Sequence, residues 1–121
     1  MTSDRGREHA QQRPQIDVAQ FVHNVAKRRN WQLPADSDFL SMLIEGLEGN
    51  LERLGYLQCP CRLSWDDKEK DKDIVCPCIY AEADIAEYGH CYCSLFFSSD
   101  YDTANEEMVS IPERRPQHLF P

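Results

Sequence analysis

Long apolar runs are missing from this 121-residue chain: none approaches the roughly 20 residues of a membrane-spanning helix, so no membrane association is expected. The opening Met-Thr-Ser-Asp-Arg-Gly-Arg-Glu-His has no apolar stretch of the kind a secretory signal carries, and the expected location is cytoplasmic. Clustered positive charge is also scarce. Residues 1–35 carry six basic and three acidic side chains, leaving seven basic and eighteen acidic in 36–121. Such a body lacks the cationic patches that displace counterions from phosphate backbones, so nucleic acid is not an expected partner, and the acidic excess serves solubility. With 41% hydrophobic residues, the chain has material for one modest core.

Residues 1–15 are polar and without periodicity and read as a disordered tail that includes a solvent-facing His9. The main body is expected over 16–110, with 111–121 too proline-rich for regular structure. From Asp17, Val18, Phe21, Val22, Val25 and Ala26 share one helical face, predicting a helix to about Trp31. Lys27, Arg28 and Arg29 in its last turn suit the helix dipole, or form a docking patch for an acidic partner. Pro34 breaks the chain, and Asp36 or Ser37 caps a second helix whose stripe runs from Leu40 through Leu47 to Leu54 and stops at Gly55. A short helix is expected over Ala81–Tyr88, ended by Gly89, and another over Thr103–Val109. Ser94-Leu95-Phe96-Phe97 reads as buried and irregular, and the mixed-sign run Asp66–Asp73 as a solvated face or loop.

Cysteine is absent outside one 35-residue window, which holds all six as three pairs enclosing one residue each: Cys59 and Cys61, Cys76 and Cys78, Cys91 and Cys93. Proline inside the first two pairs keeps them out of helix interiors, so the pairs belong on loops. Zinc sites usually space paired ligands by two to four residues, and one zinc leaves two thiols over. A disulfide framework is possible in number but has no support from an oxidising compartment. An iron–sulfur cubane uses four thiolates, and the remaining two suffice for one disulfide held beside it. The expected fold is all-α: a small single domain of about five short helices, with Cys-X-Cys loops that on the iron–sulfur reading enclose the cluster.

Cys59-Pro60-Cys61-Arg62, Cys76-Pro77-Cys78 and Cys91-Tyr92-Cys93 resemble the CPC, CPC, CHC signature of the ferredoxin–thioredoxin reductase catalytic subunit family. Glu45-Gly46-Leu47 through Asn50 to Arg53-Leu54-Gly55-Tyr56, and Glu87-Tyr88-Gly89, extend the likeness over about residues 17–100. The resemblance implies that Cys59, Cys76, Cys78 and Cys91 ligate a [4Fe-4S] cluster. It further implies that Cys61 and Cys93 form the active-site disulfide, Cys61 being the exposed attacking thiol and Cys93 the one against the cluster. The implied activity is reduction of thioredoxin or a thioredoxin-like protein with electrons taken singly from ferredoxin or a similar donor. After the first electron Cys93 is held at the cluster while Cys61 forms a mixed disulfide with the substrate, and the second electron lets Cys93 resolve it. A small accessory subunit is a further partner the resemblance raises.

The chain departs from that family where Tyr92 stands in the place of the enclosed histidine, thought there to move protons. A phenol near pKa 10 does not exchange protons at pH 7 as imidazole does. His90 either substitutes for it or is a surface histidine after Gly89. Arg62, next to Cys61, either supplies a positive charge that favours the Cys61 thiolate or pairs with a nearby carboxylate. Spacings between the pairs also differ from the plant-type enzyme. Two other functional classes stand beside the reductase: a non-catalytic [4Fe-4S] electron carrier or redox sensor, and a zinc-stabilised interaction module.

Overall fold

The computed structural model describes residues 16–105 and 109–121. Helix α1 (Val18–Arg29) begins where the Asp17 side chain accepts the Gln20 N–H, and ends at Asn30, whose left-handed φ of 59° stops it just before the expected Trp31. Helix α2 (Ser37–Leu54) is capped by Asp36, which accepts from the N–H groups of Asp38 and Phe39, and is closed by Gly55 at φ 86°. The apolar stripes meet as their spacing predicts: Val18, Val22, Val25 and Ala26 of α1 share one core with Leu43 and Leu47 of α2. Each fully buried aliphatic side chain there contributes about 1.5–3 kcal/mol relative to exposure. Helix α3 (Ala81–Tyr88) also forms as expected and ends at Gly89.

Among the described residues there are three α-helices, two one-turn 3-10 segments at Lys72–Ile74 and Gln117–Leu119, and isolated bridges in place of any strand. The fold is thus a small helical domain, but with fewer α-helices than the five expected. None of the described helices is long and apolar enough to cross a membrane. Residues 1–15, read as a tail, lie outside the described part, as do 106–108 within the expected last helix. Thr103–Asn105 form a turn, because the Asp102 carboxylate accepts the N–H groups of Ala104 and Asn105.

Two further expectations need correction. In the run Asp66–Asp73, residues 66–70 and Lys72 are exposed, but Asp71 and Asp73 are buried. Asp71 accepts from Tyr56 Oη at 2.6 Å, Trp65 N–H at 3.0 Å and the Ser64 hydroxyl, so one carboxylate gathers the whole loop. The proline-rich end has a 3-10 turn and is not loose: Ile111 and Arg115 are buried. Leu95, Phe96 and Phe97 are fully buried, as read from the sequence.

Candidate active site

Backbone pairing between loops brings the three Cys-X-Cys segments together. Cys59 N–H donates to Ile74 O at 2.8 Å and Cys76 N–H to Leu57 O at 2.7 Å, which joins the first pair to the second. Helix α2 anchors the first loop, since Asn50 Nδ2 donates to Gln58 O and Oε1 at 2.8 Å each, and Gln58 Nε2 donates to Arg62 O at 2.7 Å. Gly46 lets that loop lie against the helix: a Cβ there would stand 2.9 Å from Pro60 Cβ. On the other side, Cys91 N–H donates to Phe96 O, and Gln32 and Phe97 exchange both backbone bonds. The segment ahead of α2 therefore fixes the third pair, while α3 spans the distance from the second.

Cys59, Cys76, Cys78, Cys91 and Cys93 line one cavity, walled by Pro60, Pro77, Ala81, Leu95 and Phe96 together with Arg62 and Tyr92. Cys61 does not line it. Its side chain is exposed and opens, with Leu63, Tyr92, Phe120 and Pro121, onto an adjacent cleft. Tyr92 thus stands in the wall between the two spaces. His90 lines neither. It is fully buried, so it is not a surface histidine, and its ring lies beside Phe97 and Tyr101 at centroid distances of 5.6 and 6.1 Å. Its Nδ1 donates to Cys91 O at 2.8 Å, and Nε2 has no partner among the described residues.

All six cysteines are free thiols in this structure. The Cys93 and Cys59 sulfurs approach to 2.8 Å, and Cys93 also bonds Cys61. Its contacts with these two sulfurs, and then burial, hold the Cys93 thiol above its usual range. Its two neighbours move the other way. The bond with Cys93 lowers Cys59 to about 7 against the effect of burial, with Arg62 helping. The same bond lowers Cys61, opposed by burial and by Cys59. Burial pushes Cys91 up to about 12 and raises Cys76 and Cys78 as well.

One tetrahedral ion with bonds to sulfur near 2.3 Å needs its ligands crowded close around it. No three His, Cys, Asp or Glu side chains among the described residues are so placed. A four-iron cluster takes four thiolates, and cysteine sulfur is the donor chemistry that this cavity offers. Five cysteines contributed by three different loops share an apolar enclosure. N–H groups already point at two of the sulfurs, from Phe96 N to Cys91 Sγ at 3.4 Å and from Arg62 Nη1 to Cys78 Sγ at 3.2 Å.

A sequence model described as ferredoxin thioredoxin reductase catalytic beta chain matches residues 8–115. The chain belongs to this family. It is 35% identical over 89 residues to the catalytic chain of ferredoxin-thioredoxin reductase from Synechocystis sp., covering 71% of each protein. It is 32% identical over 95 residues to the chloroplastic catalytic chain of Zea mays, spanning 76% of this chain but 59% of that one. Identity to the Porphyra purpurea catalytic chain is 29% over 92 residues, 74% of each. Enzymes of the ferredoxin–thioredoxin reductase family are oxidoreductases acting on disulfides.

Sequence reasoning missed the residues that clasp this family's cysteine loops together here. Glu113, Arg114 and Arg115 are consecutive, yet each pairs with a different segment. Glu113 takes both Arg62 Nε and Nη2, at 2.7 and 2.8 Å. Arg114 reaches Asp84 at 2.8 Å and Glu87, both on α3. Arg115 forks onto Asp73 at 2.8 and 3.1 Å, and Asp73 also accepts from Tyr80 Oη at 2.8 Å. The available signal was three consecutive charges between Pro112 and Pro116, a short interruption in an otherwise uncharged and proline-rich end.

Proposed function

We propose that this chain is a disulfide reductase. In this reading, ferredoxin or a similar one-electron donor feeds a [4Fe-4S] cluster on Cys59, Cys76, Cys78 and Cys91. Cys61 and Cys93 deliver the electrons to thioredoxin or a thioredoxin-like protein. The observation that carries the reading is the split of the six cysteines: five around one apolar cavity, and Cys61 alone facing outward beside it. When bound, the cluster supplies the one-electron steps that a two-electron disulfide cannot take from a one-electron donor.

The protein's own residues do the exchange. Cys61 Sγ attacks one sulfur of the substrate disulfide, forming a mixed disulfide and expelling the other sulfur as thiolate. Cys93, held on the cavity side within reach of Cys61, then attacks Cys61 Sγ, and the second substrate sulfur leaves. Two electrons from the donor and two protons complete the turnover, so that substrate disulfide becomes dithiol. Burial, and then the charge of Glu113, hold the Tyr92 phenol above its usual range, so it keeps its proton. Protons reach the departing thiolate from solvent on the exposed side of Cys61. A small accessory subunit is compatible with this arrangement.

Anaerobic purification followed by iron, sulfide and thiol counts on one sample tests the proposal. About four irons and four sulfides per chain are expected, with two additional thiols appearing on reduction. Zinc in place of iron contradicts it in favour of an interaction module. A full cluster with no change in thiol count contradicts it in favour of an electron carrier.

A further inference from the structure

We infer that Arg62 sets the charge of the cluster site. Its guanidinium, aimed by Glu113 and enclosed between the rings of Tyr80 and Tyr92, acts as a fixed cation against the sulfurs of Cys59 and Cys78. This rests on the reading above that these two cysteines are cluster ligands.

The guanidinium is fully engaged. Nε and Nη2 form a two-pronged bond to Glu113, while Nη1 turns away from that carboxylate, 3.2 Å from Cys78 Sγ and 3.8 Å from Cys59 Sγ. Its carbon lies 4.6 Å from the Tyr92 ring centroid and 5.3 Å from that of Tyr80. Both supports are themselves held. Glu113 accepts the Arg115 N–H at 2.9 Å, and the Tyr80 hydroxyl donates to Asp73, the carboxylate on which Arg115 forks. A lysine would not fit this slot, because only a planar fork binds a carboxylate with two nitrogens, lies between aromatic faces and keeps a third nitrogen for a sulfur.

Burial gives the charge its reach. The Arg62 side chain is 2% exposed and that of Glu113 is 21% exposed, so little water screens the cation on the sulfur side. Hydrogen bonds to ligand sulfurs and local net charge are among the levers that set the potential of an iron–sulfur centre. Every electron added makes the site more negative, and a cation at the sulfurs stabilises the reduced form. Tyr92 accordingly has a function that does not depend on proton exchange: it is one face of the slot that holds Arg62.

The test is the midpoint potential of the first one-electron reduction in the cluster-loaded protein, with iron and sulfide counted on the same samples. Arg62→Met removes the cation at similar length. It should make reduction at least tenfold less favourable, a shift of about 59 mV to more negative potential. Glu113→Gln retains an acceptor for the guanidinium but removes the opposing negative charge, and should move the potential to more positive values. Shifts of opposite sign are not produced by loosened packing, which lowers cluster content in both variants. A loaded Arg62→Met protein with an unchanged potential overturns the inference. If that variant does not assemble, Glu113→Gln decides alone, and an unchanged or more negative potential overturns it. A wild-type protein without iron and sulfide contradicts the underlying reading instead, so the two failures are distinguishable.

Discussion

The two parts of this molecule are built on different physics. Residues 16–57 hold together by apolar stripes, with α1 and α2 burying Val22 and Leu47 completely. The buried polar and charged side chains of the described residues, from Gln58 to Arg115, all lie in the second part. There the cysteines share the core with Ile74, Tyr80, Leu95 and Phe96, and the chain around them is held by Asp71, by the Arg115–Asp73 pair and by the Arg62–Glu113 pair. The helical part makes a scaffold from many weak, interchangeable contacts. The cysteine part depends in addition on a few directional ones, gathered on Asp71, Asp73 and Glu113.

The largest effect should come from breaking a directional contact. Asp73→Asn leaves the Arg115 guanidinium buried without its anion and should cost about 3–5 kcal/mol, read by urea melting. The same carboxylate gives the part its acid sensitivity. Burial alone would raise its pKa, but the bonds from Arg115 and Tyr80 outweigh that and depress it. Its contribution is therefore fully present above the ordinary carboxylate range and is lost as pH falls through the depressed value, below about pH 4. Asp73→Asn should flatten that limb of the stability profile.

In the helical part, Leu47→Ala should cost about 2–4 kcal/mol in the same melt by leaving a cavity between α1 and α2. The cost is comparable in kind to any large-to-small core change, and iron per chain should stay at the wild-type level well below the transition. Loss of iron at low denaturant in Leu47→Ala would break the comparison, since it would make the scaffold part of the site. A smaller effect is expected at the seam of the two parts. Gly89 has φ 90°, and a Cβ there would meet the Tyr101 ring at 2.7 Å, so Gly89→Ala should cost about 1–3 kcal/mol.

What the sequence made legible follows the reach of each contact along the chain. Asp36, Gly55, Gly89 and the valine and leucine spacings act within a few residues of themselves, so α1, α2 and α3 were readable from local pattern. The three Cys-X-Cys units were readable as loops because proline forbids the alternative. A carboxylate partner for Arg62 was one of its two readings, but which residues pair was not legible. Arg62 and Glu113 are 51 residues apart and Arg115 and Asp73 are 42 apart, and nothing local distinguishes Asp73 from the exposed charges before it. Asp102 illustrates the opposite failure: a residue able to cap a helix holds a turn at Thr103–Asn105. His90 was ambiguous for the same reason as Asp73, since its burial comes from Phe97 and Tyr101, which fold back on it from further along the chain.

The central claim is that the cysteines divide into a cavity set that holds a cluster and an outward thiol that does chemistry. The most direct measurement compares iron per chain in Cys76→Ser and Cys61→Ser, both purified without oxygen. A hydroxyl is a poor iron ligand beside thiolates, so Cys76→Ser should lose most of its iron. Cys61→Ser should retain iron at the wild-type level while losing disulfide exchange. Equal loss of iron in the two variants, or full iron in Cys76→Ser, would contradict the division.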